Sequence, residues 1–173
     1  FQGCTGLTSI AIPNGVTSIE MGTFYNCMSL NSIAIPSSVT NIGLAAFYSC
    51  VSLSNITIPD SVTTIGDDAF ALCAALKEIT IPQQVEKIGA EAFTGCAQLE
   101  KIDIESDSQL NTVGNYAFET NCLYLNGDCM AADSSALKAY LDQFGITIPQ
   151  FAETKIYCGA PLKKSGKLSD KGV

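Results

Sequence analysis

The sequence predicts an α/β repeat solenoid closed by a helical C-terminal cap. Three observations lead to this fold class. Apolar residues and a cysteine recur every 23 residues over most of the chain. Each repeat contains a short run that alternates with the two-residue period of a β-strand. The repetition stops before a segment with apolar residues at helical spacing. Because one such unit buries too little apolar surface to fold alone, each coil must be stabilised by its neighbours.

The repeat is visible as columns of identical residues. Cysteine, phenylalanine, leucine and isoleucine each return with the same step in five successive units. The cysteine column is Cys4, Cys27, Cys50, Cys73 and Cys96, and the phenylalanine column is Phe1, Phe24, Phe47, Phe70 and Phe93. A sixth copy reaches Phe118 after a short insertion around residues 106–109. We therefore assign residues 1–120 to five or six coils.

The unit between residues 30 and 50 predicts the elements of one coil. Ser32-Ile33-Ala34-Ile35 alternates as a half-buried strand does, and the following proline cannot continue a sheet. The stretch Val39 to Gly43 is rich in β-branched residues and ends in glycine, which indicates a second short strand and a tight turn. Residues 46–50 are expected to form a helical turn that packs Phe47 inward.

Residues 121–160 are predicted to form a C-terminal capping region. Asp133-Ser134-Ser135 resembles a helix N-cap and precedes a helix that we place at 134–144. Leu137, Tyr140 and Phe144 share one face of that helix and would cover the last coil. The lysine-rich residues 161–173 are expected to be a flexible tail or a linker.

The chain starts in the middle of a coil, because Phe1 to Cys4 aligns with Phe24 to Cys27. We therefore expect a signal peptide and further repeats upstream of this sequence. A coil cut at this point exposes an apolar face, which would allow end-to-end self-association through the N-terminal coil.

The charge of the chain argues against two classes of partner. All nine basic residues are lysines, against 17 acidic residues, so the net charge is -8. Such a chain repels nucleic acid and anionic membrane surfaces. No run approaches the roughly 18 consecutive apolar residues of a membrane span, so we expect no membrane insertion. Only Glu20 is charged before Asp60, which leaves the first third of the chain with a neutral polar surface.

The residue types present do not favour an enzyme. The chain contains no histidine, so neither a Ser-His-Asp nor a Cys-His nucleophile can be built. Cysteines of one column lie one coil apart, a spacing of about 4.8 Å that suits a disulfide poorly, so we expect them to be reduced and buried. Cys122, Cys129 and Cys158 stand outside that column, and a cap disulfide could join Cys129 to Cys158 or Cys122 to Cys129. We predict no cofactor and no metal site.

The repeat pattern resembles a known family. The run Leu-x-x-Ile-x-Ile-Pro-x-x-Val-x-x-Ile-Gly-x-x-Ala-Phe-x-x-Cys is similar to the BspA-like, or treponemal-type, leucine-rich repeats over residues 1–118, with departures at Glu20 and Thr23. The resemblance implies a right-handed leucine-rich-repeat coil with short parallel strands on its concave face. It also implies an extracellular or cell-surface protein, often one that adheres to host proteins or other cells.

The outward positions of the Ile-x-Ile strands form the expected binding surface on that concave face. The predicted ligand-binding residues are Ser32, Ala34, Asn55, Thr57, Glu78, Thr80, Lys101 and Asp103. We expect a non-enzymatic binding module that adheres through these residues to an extracellular protein or glycan. The alternative is a structural spacer or stalk segment of a larger surface protein, with no ligand of its own.

Overall fold

The computed structural model describes residues 1–105, 108–114, 116–117, 123–125 and 128–129. These residues form eleven short strands joined by turns. The strands are β1 (Ser18–Ile19), β2 (Ser32–Ala34), β3 (Asn41–Ile42), β4 (Asn55–Thr57), β5 (Thr64–Ile65), β6 (Glu78–Ile81), β7 (Lys87–Ile88), β8 (Lys101–Ile104), β9 (Thr112–Val113), β10 (Leu123–Leu125) and β11 (Asp128–Cys129). No helix occurs among the residues described, so this part of the chain is a β-solenoid rather than an α/β one. The predicted helix 134–144 and the tail 161–173 lie outside them.

The strands build two sheets along the solenoid. The narrow sheet is made of β1, β3, β5, β7 and β9 in that order, all parallel, and each residue pairs with a residue one coil further on, as Ile42 does with Ile65. The Ile-x-Ile sheet comes in two parts, β2 with β4, and β6 with β8, β10 and β11. Both predicted strands are therefore present in the coils from β2 onward, whereas in the first coil the Ile-x-Ile stretch pairs only through an isolated bridge between Ala11 and Ala34. The strand β10 continues the parallel pairing into the range predicted as the cap.

The predicted helical turn at residues 46–50 is wrong, because this stretch is a series of tight turns. Ala45 and Ser49 have positive φ angles of 50° and 58°, which a helix does not allow. The Phe47 N–H donates to the carbonyl of Ala69 in the next coil at 2.8 Å, whereas the Tyr48 N–H donates locally to Ala45 O at 3.2 Å. Alternate amides thus join neighbouring coils instead of completing a helix. The Phe47 side chain is buried, as predicted.

The core is a set of side-chain ladders that run along the solenoid. The phenylalanine rings stack on one another, with centroids 5.6 Å apart for Phe1 and Phe24 and 5.2 Å apart for Phe24 and Phe47. Leucine, isoleucine and valine columns surround them, and the buried members include Leu30, Leu53, Leu76, Ile42, Ile65, Ile88, Val39, Val62 and Val85. Each side chain therefore finds its main apolar contacts in the same position of the coil above and the coil below.

A glycine directly follows each of the strands β3, β5, β7 and β9 of the narrow sheet, because neighbouring coils lie too close together there to admit a side chain. The Gly66 N–H donates to Ile42 O at 2.8 Å, and a β-carbon on Gly66 would lie only 2.7 Å from the Gly43 carbonyl carbon and the Leu44 nitrogen. Neither glycine has a positive φ angle. The sequence predicted a tight turn at this position, but the space between coils is what excludes a side chain. In the first coil the same position holds Glu20, and no earlier coil is described on the side that this position approaches.

Candidate functional site

The predicted ligand-binding residues lie on the outer side of the Ile-x-Ile sheet. Their neighbours Ile33, Ile56, Ile79 and Ile102 point into the core, so the two-residue period turns the predicted residues outward. Six are exposed, and Lys101 and Asp103 are half-buried. The register places Ser32 beside Asn55 and Ala34 beside Thr57. It also places Glu78 beside Lys101 and Thr80 beside Asp103. The structure thus brings these side chains together in two columns.

Two open depressions lie on this face. The first has a volume of about 420 Å³, and its lining includes Ser32, Ala34, Asn55 and Thr57. The second has a volume of about 370 Å³, and its lining includes Asn55, Thr57, Glu78 and Thr80. Asn55 and Thr57 take part in both, so β4 is the centre of the candidate site.

Asp60 and Glu105 also line the second depression, and the repeat pattern did not predict them there. Both follow the end of an Ile-x-Ile strand, Asp60 after Pro59 and Glu105 directly after Ile104. Glu105 accepts a hydrogen bond from the Gln83 N–H in the preceding coil at 3.1 Å. The sequence signal that could have predicted them is their position just beyond the end of an Ile-x-Ile strand.

The Ile-x-Ile sheet is interrupted at the second depression. No backbone hydrogen bond joins β4 to β6 within the described part of the chain, whereas β5 and β7 of the same two coils are paired in the narrow sheet. The two coils are therefore hydrogen-bonded through the narrow sheet but not through the Ile-x-Ile strands, although β4 and β6 remain adjacent. The charge of the outward side chains also changes at this point. Ser32, Asn55 and Thr57 before the interruption are uncharged, whereas Glu78 after it is acidic.

The charged end of the face is partly neutralised. The Lys101 ammonium lies 3.0 Å from an Asp103 carboxylate oxygen, and the two side chains are 35% and 26% exposed. A pair at such a site contributes at most about 1 kcal/mol to stability. Its main effect is on the surface charge, because Asp60, Glu78 and Glu105 then dominate the field at the second depression.

The repeat cysteines serve the fold rather than chemistry. Cys27, Cys50, Cys73 and Cys96 are free and buried, as predicted. Cys4 in the first coil is exposed, contrary to the prediction, because only the following coil is described beside it. The Cys50 thiol donates to Phe24 O at 3.1 Å, and Cys73 donates to Phe47 O at 3.2 Å. Each thiol thus satisfies a buried carbonyl of the preceding coil.

Burial also makes these thiols poor nucleophiles. It raises the pKa of Cys50 to about 12, with the neighbouring Cys27 adding to the rise. Burial likewise raises the pKa of Cys96 to about 12. The thiolate is the reactive form of cysteine, so a thiol with such a pKa is inert near neutral pH.

The described residues contain no cluster of three or more histidine, cysteine, aspartate or glutamate side chains that could hold a metal ion. Burial and the adjacent Asp67 raise the pKa of Asp68, which lies outside both depressions. The disulfide predicted among Cys122, Cys129 and Cys158 involves side chains outside the described residues. A helix long and apolar enough to cross a membrane is not found in the part of the chain that the structure describes.

Several solved structures resemble this chain. A leucine-rich cell-surface protein from Faecalibacterium prausnitzii is 29% identical, with a TM-score of 0.63, over 90% of this chain and 36% of that protein. A T. pallidum leucine-rich repeat protein is 28% identical, with a TM-score of 0.55, over 61% of this chain and 57% of that one. A leucine-rich repeat protein from Bacteroides ovatus is 29% identical, with a TM-score of 0.51, over 73% of this chain and 40% of that one. This chain thus matches between about a third and about three-fifths of each relative's length.

The family model agrees with these structures. No curated protein matches the chain in sequence. The model of the BspA type leucine rich repeat region matches residues 1–126 in six copies. That span contains every coil described above and confirms the resemblance drawn from the repeat pattern. The chain therefore belongs to the BspA-type leucine-rich-repeat family.

Proposed function

We propose that this chain is a non-enzymatic binding module of a cell-surface or secreted protein, and that it adheres to an extracellular protein or glycan through the Ile-x-Ile face. One observation carries the proposal. Small uncharged side chains line the first depression in adjacent, hydrogen-bonded strands, whose inward isoleucines Ile33 and Ile56 are buried in the core. The description of the F. prausnitzii relative as a cell-surface protein supports the location.

The chemistry of the face suits a hydroxyl-rich or amide-rich ligand. Ser32, Asn55 and Thr57 offer both donors and acceptors, and Ala34 between them leaves room for a sugar ring or a peptide backbone to approach. The acidic lining of the second depression disfavours anionic ligands. A neutral glycan or an uncharged polar stretch of protein therefore fits the two depressions better than an acidic partner does.

The size of the face limits the affinity of one copy of the module. Five strands of about four residues, spaced about 4.8 Å apart, present roughly 300 Å². A standard protein interface needs about 800 Å² from each partner. We therefore expect weak binding that is strengthened by several copies on one surface, as in adhesion between cells. The small area is also what a structural spacer would show, so the experiment must separate the two.

The test is a binding screen of the soluble chain against immobilised extracellular matrix proteins and a glycan array. The Thr57→Lys/Thr80→Lys variant places two bulky cations in the depressions. Its matched control is Ser37→Lys/Gln84→Lys, which makes the same charge change at exposed turn residues between the two sheets. Circular dichroism would verify that both variants are folded.

We expect saturable binding by the original chain, retained by the control and weakened at least about tenfold in the Thr57→Lys/Thr80→Lys variant. Equal binding by both variants would contradict a site on the Ile-x-Ile face. Failure of the original chain to bind any probe, at surface densities that permit multivalent contact, would favour the spacer.

A further inference from the structure

A patch of exposed apolar side chains lies away from the Ile-x-Ile face, on the turns that contain Phe24 and Phe47. Met21 is 70% exposed, and Met28, Leu44 and Val51 are between 39% and 43% exposed. Two half-buried tyrosines, Tyr25 and Tyr48, belong to the same turns. We call these six residues the turn patch. The proposed binding face does not use it.

The turn patch consists of two matching rows in consecutive coils. Each row has an aliphatic or methionine side chain three residues before the buried phenylalanine, a tyrosine one residue after it, and a second apolar side chain four residues after it. The rows are Met21, Tyr25 and Met28, and Leu44, Tyr48 and Val51. The two tyrosine rings stack with centroids 4.8 Å apart and planes 4° apart, which ties the rows together.

The pattern of the two rows does not continue into the neighbouring coils, although Leu72 in the next coil and Phe1 in the preceding one are also exposed. The same positions hold Asp67, Ala71 and Ala74 in the next coil, and Ala90, Thr94 and Ala97 in the one after it. The preceding coil has Gln2 and Thr5 at the last two positions. The fold therefore does not require large apolar residues at these positions. Their exposure has a cost in solubility that a partner would relieve.

We propose that the turn patch is the contact surface of a homodimer in which two copies of this chain lie side by side with their solenoid axes antiparallel. A two-fold axis along the rows places each row of one copy against the other row of its partner. Met21 then faces Leu44 of the second copy, Tyr25 faces Tyr48, and Met28 faces Val51. Every contact joins an apolar or aromatic group to another.

The charge distribution favours a second copy and the antiparallel direction. Of the 26 charged side chains, 25 lie from Asp60 onward, and Glu20 alone belongs to the coils that carry the turn patch. The patch itself therefore carries no charge, and apart from Glu20 the acidic side chains nearest to it, Asp67 and Asp68, border it on one side only, in the next coil. An antiparallel pair sends the two acidic parts in opposite directions, whereas a parallel pair would hold them side by side.

End-to-end association through the first coil fits the structure less well. Gly43 and Gly66 lack a side chain and so leave room for the preceding coil. The corresponding residue of the first coil is Glu20. A β-carbon on Gly43 would already lie 2.9 Å from the Met21 nitrogen of the coil it approaches. Any coil that stacks on the first coil, whether from upstream sequence or from a second copy, must therefore leave room for the Glu20 side chain, a requirement that the side-by-side arrangement does not have.

The turn patch predicts a weak, concentration-dependent dimer. Its six side chains expose roughly 400 Å² per copy, so a dimer would bury about 800 Å² in total, which lies at the low end of interface sizes and indicates a weak complex. Sedimentation velocity over a range of protein concentrations would measure the association. We expect Leu44→Glu to raise the dimer dissociation constant at least about tenfold, because it places a charge in an apolar contact. The matched control is Ala97→Glu, which adds the same charge at an exposed turn position outside the patch.

A charge swap tests the direction of the pair. Met21→Lys and Leu44→Glu should each weaken the dimer, whereas an equimolar mixture of the two variants should associate again, because the antiparallel arrangement brings the lysine of one chain against the glutamate of the other. In a parallel arrangement position 21 would face position 28, and the mixture would stay weak. A chain that remains monomeric at every concentration, or a dimer that Leu44→Glu leaves intact, would overturn the proposal.

Discussion

Replacing Gly66 by alanine tests whether the close approach of neighbouring coils is what requires glycine after the narrow sheet. The added β-carbon would lie 2.7 Å from the Gly43 carbonyl carbon and the Leu44 nitrogen, whereas ordinary contact begins at 3.4 Å. The two coils must therefore separate locally by about 0.7 Å. Overpacking of this kind costs about 1–3 kcal/mol of unfolding free energy. For a chain of this size, that cost lowers the unfolding midpoint by roughly 2–12 °C.

Thermal and urea unfolding followed by circular dichroism would measure this loss. The matched control is Gly6→Ala, because a β-carbon added to Gly6 would have no heavy atom within 4 Å and the residue has no positive φ angle. We expect that control to be neutral or to gain up to about 1 kcal/mol from the stiffer unfolded chain. Identical midpoints for Gly66→Ala and Gly6→Ala would refute the explanation, since both changes add the same methyl group and differ only in the space available.

Three further predictions concern the turns and the cysteines. Ala45 has a positive φ of 50°, so Ala45→Gly should stabilise the fold by about 1 kcal/mol in urea unfolding. The control Ala46→Gly, at a buried residue without a positive φ angle, should destabilise the fold by a similar amount. If both substitutions changed the unfolding free energy in the same direction, the turn conformation assigned to Ala45 would be contradicted. Folding raises the pKa of Cys50 from 9.0 to about 12, so the stability that depends on the neutral thiol is complete below about pH 9 and is lost as the pH rises towards 12. The urea midpoint of Cys50→Val should fall less steeply with pH across that range than the midpoint of the original chain. If the midpoints of the two proteins fell in parallel, ionisation of the Cys50 thiol would not be the cause of the loss of stability. Iodoacetamide should label Cys4 in the native protein and Cys73 only after unfolding, as peptide mass spectrometry would show, and equal native labelling would argue against the buried ladder.

The repeat pattern was sufficient to predict the positions of the strands and the direction of their side chains. The alternation in Ser32 to Ile35 identified Ile33 as buried and Ser32 and Ala34 as exposed, and the structure agrees. The pattern failed at residues 46–50, where it predicted a helical turn. Amides there bond to carbonyls of the adjacent coil, and local sequence periodicity carries no information about a partner 22 residues away.

The sequence by itself determined the 23-residue coil, the inward columns and the two columns of candidate binding residues, because these depend on side-chain polarity at fixed spacing. Only the tertiary structure decided how the coils meet. It left β4 and β6 without backbone hydrogen bonds to each other and placed Asp60 and Glu105 at the second depression. It also placed the exposed side chains of the turn patch next to one another. These features depend on the distance and hydrogen bonding between coils. That spacing is set jointly by the stacked phenylalanine rings, the glycines after the narrow sheet and the inter-coil amides, which no single repeat contains.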